Sequence, residues 1–325
     1  MDSPLSRIPT ISLAVPCHNE EQGLDAFLHR IHSVMKPLQE AYEIVLVDDG
    51  SSDGTWEKLV ALQAGDERLK AVSLSRNFGK EAALTAAIRH CSGRAVIPID
   101  ADLQDPPELI PKMVELWREG YEVVTAQRGS RHADSSAKRL TARAFYRVFN
   151  LISQTTLPVD TGDFRLMDRK VVEAFQQLGE RNRFLKGIFA WLGFRTATVS
   201  FDRDNRASGD SRFTPSSLMH LAGNGIFAFS SKPLRIWAYI GASVSGLAFA
   251  YAAFLFVRTL VSGVDVPGYA SIMVVTLFLG GIQLIGLGVL GEYLGRVYDE
   301  VKARPLYVIR DRRGFPDKRE EVERK

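Results

Sequence analysis

Residues 97–107, IPIDADLQDPP, decide how the fold is read. The apolar run AVIPI (95–99) stops at three acids, Asp100, Asp102 and Asp105, and Pro106 and Pro107 close the segment. A short apolar run bounded in this way reads as a buried strand whose end reaches the surface. The two prolines cannot extend that strand and set the exit path of the chain. Three earlier runs have the same form: ISLAVP (11–16), EIVLVDD (43–49) and LKAVSLS (69–75). Helical patterns separate them: EEQGLDAFLHRIHSVMKPL (20–38), GTWEKLVALQA (54–64) and GKEAALTAAIRHC (79–91). Strand–helix alternation at this spacing predicts an α/β domain with a mostly parallel sheet covered by helices. Ligands of such sheets bind outside the carboxyl ends of the strands. The polar residues that end the four runs are therefore candidate site residues: Asn19 and Glu20, Asp48 and Asp49, Arg76, Asp100 and Asp102.

In an extended chain residues i and i+2 share a face, which predicts that Asp100 and Asp102 converge while Ala101 points away. Two hard oxygen donors suit Mg²⁺ or Mn²⁺, and such an ion would neutralise a diphosphate. A loop of solvated acids is the other reading of a bare D-x-D; its position beside three other polar strand ends favours a site. In VDDGSSDGT (47–55) the turn after Asp48 and Asp49 leads to a helix cap at Ser52 or Asp53. The carboxylates there could accept hydrogen bonds from a base or ribose, or Asp53 could simply cap the helix.

The chain has 325 residues, 24% charged and 46% hydrophobic, an average that conceals an uneven distribution. Residues 236–257 and 269–291 contain no charged side chain, and each is near the ~20 residues that cross a bilayer as a helix. Lys232 and Arg235 precede the first stretch; Arg296, Lys302 and Arg304 follow or end the second. The connecting loop carries only Arg258 and Asp265. The positive-inside rule then places both termini in the cytoplasm. The N-terminus lacks the basic and apolar regions of a signal peptide. Cys17 and Cys91 lack metal-type spacing and read as reduced thiols of a cytosolic domain. A net charge of +3, with no basic block interleaved with aromatics, argues against nucleic acid as a partner. The expected organisation is a cytosolic domain over 1–213, an interfacial amphipathic region over 214–233, two transmembrane helices over 234–292 and a cytosolic tail over 293–325. The mixed-sign end of that tail, RDRRGFPDKREEVERK, reads as solvated and partly disordered.

A lipid-facing element is also legible. Arg139, Arg143 and Arg147 recur every four residues, with Leu140, Ala144, Val148, Leu151 and Ile152 beside them. A basic and apolar helix suits an anionic interface, although a charged solvent face has the same pattern. A second candidate interfacial helix covers 216–231.

The segments VPCHNEE, VDDGSSDGT, SRNFGKEAAL, DADLQDPP and VDTGDFRLMDR together resemble a family 2 glycosyltransferase of the GT-A fold. More narrowly, they are similar to polyprenyl-phosphate glycosyltransferases, the group that includes dolichol-phosphate mannose synthases and bactoprenol glucosyltransferases. RASGDSRFTPSSLMHLAGNGIFAFSSKPLR (206–235), followed by two apolar stretches, resembles the bactoprenol type, so the likeness covers nearly the whole chain. The resemblance implies that Pro16, Asn19, Glu20, Asp49 and Arg76 line a nucleotide pocket. It implies that Asp100 faces ribose or metal and that Asp102 with Gln104 holds Mg²⁺ or Mn²⁺. Asp163 is placed at the reacting centre, as a base or as an orienting group. Arg206, Ser211 and Arg212 fall in a loop that closes over the diphosphate, with Arg212 where a lysine is usual; a guanidinium still binds phosphate, bidentately. Arg128 and Arg139 match positions that hold the acceptor phosphate.

The implied reaction is inverting transfer of a hexose, glucose first among the choices, from a UDP-sugar to undecaprenyl phosphate at the cytoplasmic face of the inner membrane. The product would serve modification of an envelope glycan of the O-antigen type. A homo-oligomer, such as a tetramer, is implied with it. GDP-mannose or another donor and a non-catalytic nucleotide-sugar-binding scaffold are the alternatives. A processive polysaccharide synthase is disfavoured, because the chain has no Q-x-x-R-W motif.

Overall fold

The computed structural model describes residues 9–128, 161–180, 185–201, 232–262 and 268–316. The four expected strands form as β1 (Ile11–Cys17), β2 (Tyr42–Asp48), β3 (Leu69–Leu74) and β4 (Ala95–Pro98). Helices α1 (Leu24–Leu38), α2 (Thr55–Gly65) and α3 (Lys80–His90) connect them. After α4 (Ile110–Arg118) the chain forms β5 (Val123–Arg128), β6 (Thr161–Asp168), α5 (Arg169–Gln177), α6 (Leu185–Leu192) and β7 (Thr196–Phe201). Two long helices, α7 (Lys232–Ser262) and α8 (Tyr269–Val301), precede a last strand, β8 (Ile309–Arg313).

These strands make one sheet of order β7-β5-β6-β4-β1-β2-β3-β8. β1 pairs in parallel with β2 and β4, and β2 with β3. β6 runs antiparallel to both β4 and β5, while β7 is parallel to β5. The sheet is thus mostly parallel, as expected, and the chain reverses its direction of travel across it between β1 and β4. Such a switch point opens a crevice at the strand ends.

Strand periodicity explains the two cores. Leu13, Val15, Ile44 and Leu46 face the side covered by α1 and α4. Ala14, Val45 and Val47, one residue out of step, face α3, α5 and α6. Both faces of the sheet are buried, which is why the central strands read as continuous apolar runs. In α1 the buried residues Leu24, Phe27, Leu28, Ile31 and Met35 trace one helical stripe. Both cysteines are free and buried.

At about 1.5 Å per residue, α7 and α8 are roughly 45–50 Å long. Among the described residues one stretch, Phe278–Val301, is long and apolar enough to cross a membrane, and none of it is buried within the chain. It overlaps the second expected span. The first expected span lies in α7, where Tyr239, Leu247 and Phe254 are exposed large apolar side chains.

The expectation of a solvated tail requires correction. Residues 309–313 form β8 and pair antiparallel with β3, Ala71 opposite Arg313 and Val72 opposite Arg312. Ser75 N–H donates to the Val308 carbonyl at 2.8 Å, which extends the contact past the end of β3. Tyr307 and Phe315 pack against the core on the α3 side. The alternating charges of this strand suit a sheet edge, where one face meets water.

Candidate active site

A cavity of about 380 Å³ opens at the β1/β4 switch point. It is lined by the end of β1 (Pro16, Cys17, His18, Glu20), by Asp49 after β2, and by Asn77, Gly79, Lys80 and Ala83 before and within α3. Asp100, Ala101 and Asp102 after β4 complete it. Three of the four expected strand ends therefore supply carboxylates to one place.

The loop geometry comes first. Asp49 is buried, and its two oxygens accept from Phe78 N–H (2.7 Å) and Gly79 N–H (2.9 Å). Asp48, also buried, accepts from Ser51 N–H and the Ser73 hydroxyl. Both acids of VDDGSSDGT thus tie the end of β2 to neighbouring loops. Gly50, at φ +62, lies against the Arg76–Asn77 backbone; a Cβ there would come within 2.4 Å of the Arg76 carbonyl carbon. The N-cap of α2 is Gly54, without a side-chain cap hydrogen bond, so neither Ser52 nor Asp53 is the expected cap; Asp53, one residue earlier, accepts from Thr55 N–H at 3.1 Å and braces the turn into the helix.

Asn19, with φ +56, accepts from Ser52 N–H on its side-chain oxygen (2.9 Å) and donates its own N–H to Ser51 Oγ (3.0 Å). It therefore secures the 50–55 turn and does not line the cavity. Arg76 also stands outside the lining; its guanidinium lies 4.3 Å over the Phe78 ring. Pro16 and Glu20 do line it.

The acidic pair differs from its sequence expectation. β4 ends at Pro98, and residues 101–103 turn, with Leu103 at φ +56. A turn, not strand alternation, brings Asp100 and Asp102 to the same cavity, and Ala101 lines it with them. Asp102 accepts from Gln104 N–H at 3.0 Å; Gln104 thereby shapes the turn through its backbone. A non-glycine residue in the left-handed region costs of order 1 kcal/mol or more and is found where a site over-determines the backbone.

Lys80 is the residue that the sequence reading missed. Its Nζ lies 2.6 Å from Asp100 Oδ2 and 3.4 Å from Asp163 Oδ2. Asp163 reaches it from β6, so acids from two distant segments meet on one ammonium. Burial works against the charge of Lys80, but Asp100 and Asp163 outweigh it and raise its pKa. For Asp100, burial raises the carboxyl above its ordinary value; Lys80 opposes this, and Asp163 and Asp102 add to it. Cys17 is held as a neutral thiol by burial, with Glu20, Asp48 and Asp100 reinforcing the shift. Arg165 is buried and donates to the Gly162 carbonyl (2.8 Å) and the Asp163 carbonyl (3.3 Å). It braces the backbone that presents Asp163.

The donor set fits a hard divalent cation in its chemistry. The cavity wall holds four carboxylates (Glu20, Asp49, Asp100, Asp102) against one ammonium, and a cation already rests on Asp100 in the form of Lys80. No cluster of three or more His, Cys, Asp or Glu side chains is preassembled for a metal among the described residues. An ion there would take its remaining ligands from the bound substrate and water. Of Arg128 the backbone alone is described, ending β5 opposite Phe201. Arg139, Arg206, Ser211 and Arg212 lie outside the described residues, as do the 139–152 stripe and the 216–231 helix.

Comparison with known proteins bears on the same segments. Residues 12–175, which span every element from β1 to the body of α5, match glycosyl transferase family 2. The chain belongs to that family. Residues 232–297 of this family 2 glycosyltransferase match the GtrB C-terminal hairpin, which corresponds to α7 and most of α8. An uncharacterised glycosyltransferase of Synechocystis is 53% identical over 93% of this chain and 95% of its own length. A prophage-derived bactoprenol glucosyl transferase of Shigella flexneri is 48% identical over 94% and 99%. A prophage bactoprenol glucosyl transferase homologue of Escherichia coli K12 is 46% identical over 92% and 98%. Among solved structures, a mannosyltransferase of Pyrobaculum calidifontis in complex with GDP-Man and Mn²⁺ aligns over 87% of this chain and 88% of its own, at 18% identity and a TM-score of 0.43. The α/β sheet with its cavity at the strand ends is the GT-A architecture of this family 2 enzyme.

Proposed function

We propose that this glycosyltransferase moves glucose from UDP-glucose to undecaprenyl phosphate at the cytoplasmic membrane face, with inversion at the anomeric carbon. The observation that carries the reading is the meeting of Asp100, Asp102 and Lys80 at the switch-point cavity, with Asp163 3.4 Å from the Lys80 ammonium. The same chain carries a helical hairpin of the bactoprenol glucosyl transferase type.

In the proposed reaction an oxygen of the acceptor phosphate attacks the anomeric carbon. The bond from that carbon to the donor's β-phosphate oxygen breaks, and the diphosphate leaves with the electron pair. A phosphate monoester has a second pKa of about 6, so the nucleophile is already largely dianionic near neutral pH. No strong general base is then required, and Asp163 acts by orienting the acceptor. Asp100 and Asp102, with Gln104, would hold Mg²⁺ or Mn²⁺, which supplies charge neutralisation to the leaving diphosphate. Without cations the four carboxylates of the wall would repel that group. Arg206, Ser211 and Arg212 would close over it, and Arg128 and Arg139 would hold the acceptor phosphate.

Both ends of the hairpin at the cytoplasmic face is the topology we propose, with two spans. The return of the chain from α8 into the sheet as β8 supports it, because a single span would strand β8 across the bilayer from β3. Assembly as a homo-oligomer belongs to the same proposal. Transfer of label from UDP-[¹⁴C]glucose into extractable lipid tests the metal-dependent reading: EDTA should abolish transfer and excess Mg²⁺ restore it. Transfer indifferent to EDTA would contradict it, and full turnover by Asp163→Asn would remove Asp163 from the reacting centre.

A further inference from the structure

The Lys80 side chain is half-exposed, so packing does not hold its ammonium in place. Its contacts are electrostatic: Asp100 at 2.6 Å and Asp163 at 3.4 Å. Asp100 is one of the two cavity acids suited to a divalent cation, and Asp163 enters from a different strand. The nearby Arg165 is buried and committed to two backbone carbonyls, so it has no comparable freedom. We propose that Lys80 is an internal counter-ion that occupies Asp100 in the ligand-free enzyme and moves to the donor's phosphates when a divalent cation takes that carboxylate. This rests on the metal-dependent reading above and adds to it a coupling of cation and nucleotide binding through one side chain.

Two cations compete for Asp100. A divalent ion on Asp100 and Asp102 would sit a few ångströms from the ammonium, and like charges so close repel strongly in a partly desolvated site. The lysine stem has four flexible carbons and a compact charge, so it can leave without disturbing the fold. Asp163 keeps it at the cavity, facing the space where the diphosphate must lie. In the absence of nucleotide Lys80 therefore opposes metal binding. In its presence Lys80 joins the metal as a second cation on the same anion.

The test is Mn²⁺ binding, followed by electron paramagnetic resonance of the free ion. It uses the full-length protein in detergent, with and without saturating UDP. Lys80→Met should bind Mn²⁺ about tenfold more tightly than the wild type without UDP, the lower end of what one close charge pair contributes at a wet site. UDP in the presence of Mn²⁺ should bind Lys80→Met about tenfold more weakly while its affinity without metal is unchanged, so that the enhancement of Mn²⁺ affinity by UDP shrinks by about tenfold. Lys80→Arg, which keeps the charge, should restore the weak nucleotide-free Mn²⁺ affinity; Lys80→Gln should follow Lys80→Met. Equal Mn²⁺ affinities of wild type and Lys80→Met without UDP would overturn the inference and leave the metal reading intact. No Mn²⁺ binding by any of the proteins, with or without UDP, would overturn both.

Discussion

Asp49 is the residue whose substitution separates two accounts of this site. If its carboxylate served only a nucleotide, its loss would leave the empty protein as stable as before. The structure gives it a second task, because its oxygens receive the N–H groups of Phe78 and Gly79 at 2.7 and 2.9 Å. Hydrogen bonds to a charged acceptor contribute about 1.5–3 kcal/mol each. Phe78 and Gly79 are half-buried, so water recovers part of the loss, and Asp49→Ala should cost about 2–4 kcal/mol. For a domain of this size that corresponds to a fall in Tm of roughly 5–10 °C. Asp49→Asn, which keeps one acceptor oxygen but turns a donor toward the other N–H, should fall between. Lys80 follows Gly79 directly, so loosening this loop should also weaken UDP-sugar binding by about tenfold or more. Thermal unfolding of the ligand-free protein, paired with UDP-sugar titration, reads both effects. An Asp49→Ala protein that melts within about 1 °C of the wild type would show that Asp49 does not hold this loop, whatever it does to nucleotide affinity.

Three other outcomes follow from the same geometry. Gly50→Ala should destabilise the protein by about 2 kcal/mol or more and weaken donor binding, since φ is +62 and the new Cβ would meet the Arg76–Asn77 backbone at 2.4–2.5 Å; a melting curve checks it. Removal of residues 304–325 should lower Tm and donor affinity together, because β8 covers the edge of β3 and Val308 holds Ser75 at the entry to the Asn77–Lys80 loop; addition of a peptide spanning 304–316 should recover part of both. At the opposite end of the sheet, burial would raise the buried Glu43 carboxyl, but hydrogen bonds from Lys70, Ser12 and Ser92 outweigh it and hold its pKa below the usual value. A group with a depressed folded pKa stabilises above its unfolded pKa, and that contribution disappears as pH falls through the folded value. Glu43→Gln should therefore melt below the wild type at pH 7, with the gap closing below about pH 4.5.

Much of the sheet was legible because each of β1 to β4 is a short apolar run bounded by polar residues, and α1 repeats its apolar residues at helical spacing. The convergence of Glu20, Asp49, Asp100 and Asp102 followed from the rule that ligands meet strand ends, not from any one motif. Other features depend on partners far along the chain. Lys80 reads locally as a first-turn helix residue, and its pairing with Asp163 exists only once β6 is laid against β4. IRDRR carries too few apolar residues to announce a strand; it becomes β8 because β3 offers an unpaired edge. Asp48 and Asp49 look like ligands in sequence, whereas half-buried loop N–H groups, and for Asp48 the Ser73 hydroxyl as well, claim their oxygens. Asp100 and Asp102 were joined for the wrong geometric reason: the turn at Leu103, with its left-handed backbone, does what strand alternation was expected to do.

The reaction is read from its lipid product. The purified full-length protein is incubated with undecaprenyl phosphate, Mg²⁺ or Mn²⁺ and a panel of UDP- and GDP-sugars, and the lipid fraction is analysed by mass spectrometry. Undecaprenyl phosphate carrying one hexose, formed from UDP-glucose, is the expected product. Nucleotide binding without a glycosylated lipid from any donor would contradict the proposed transfer.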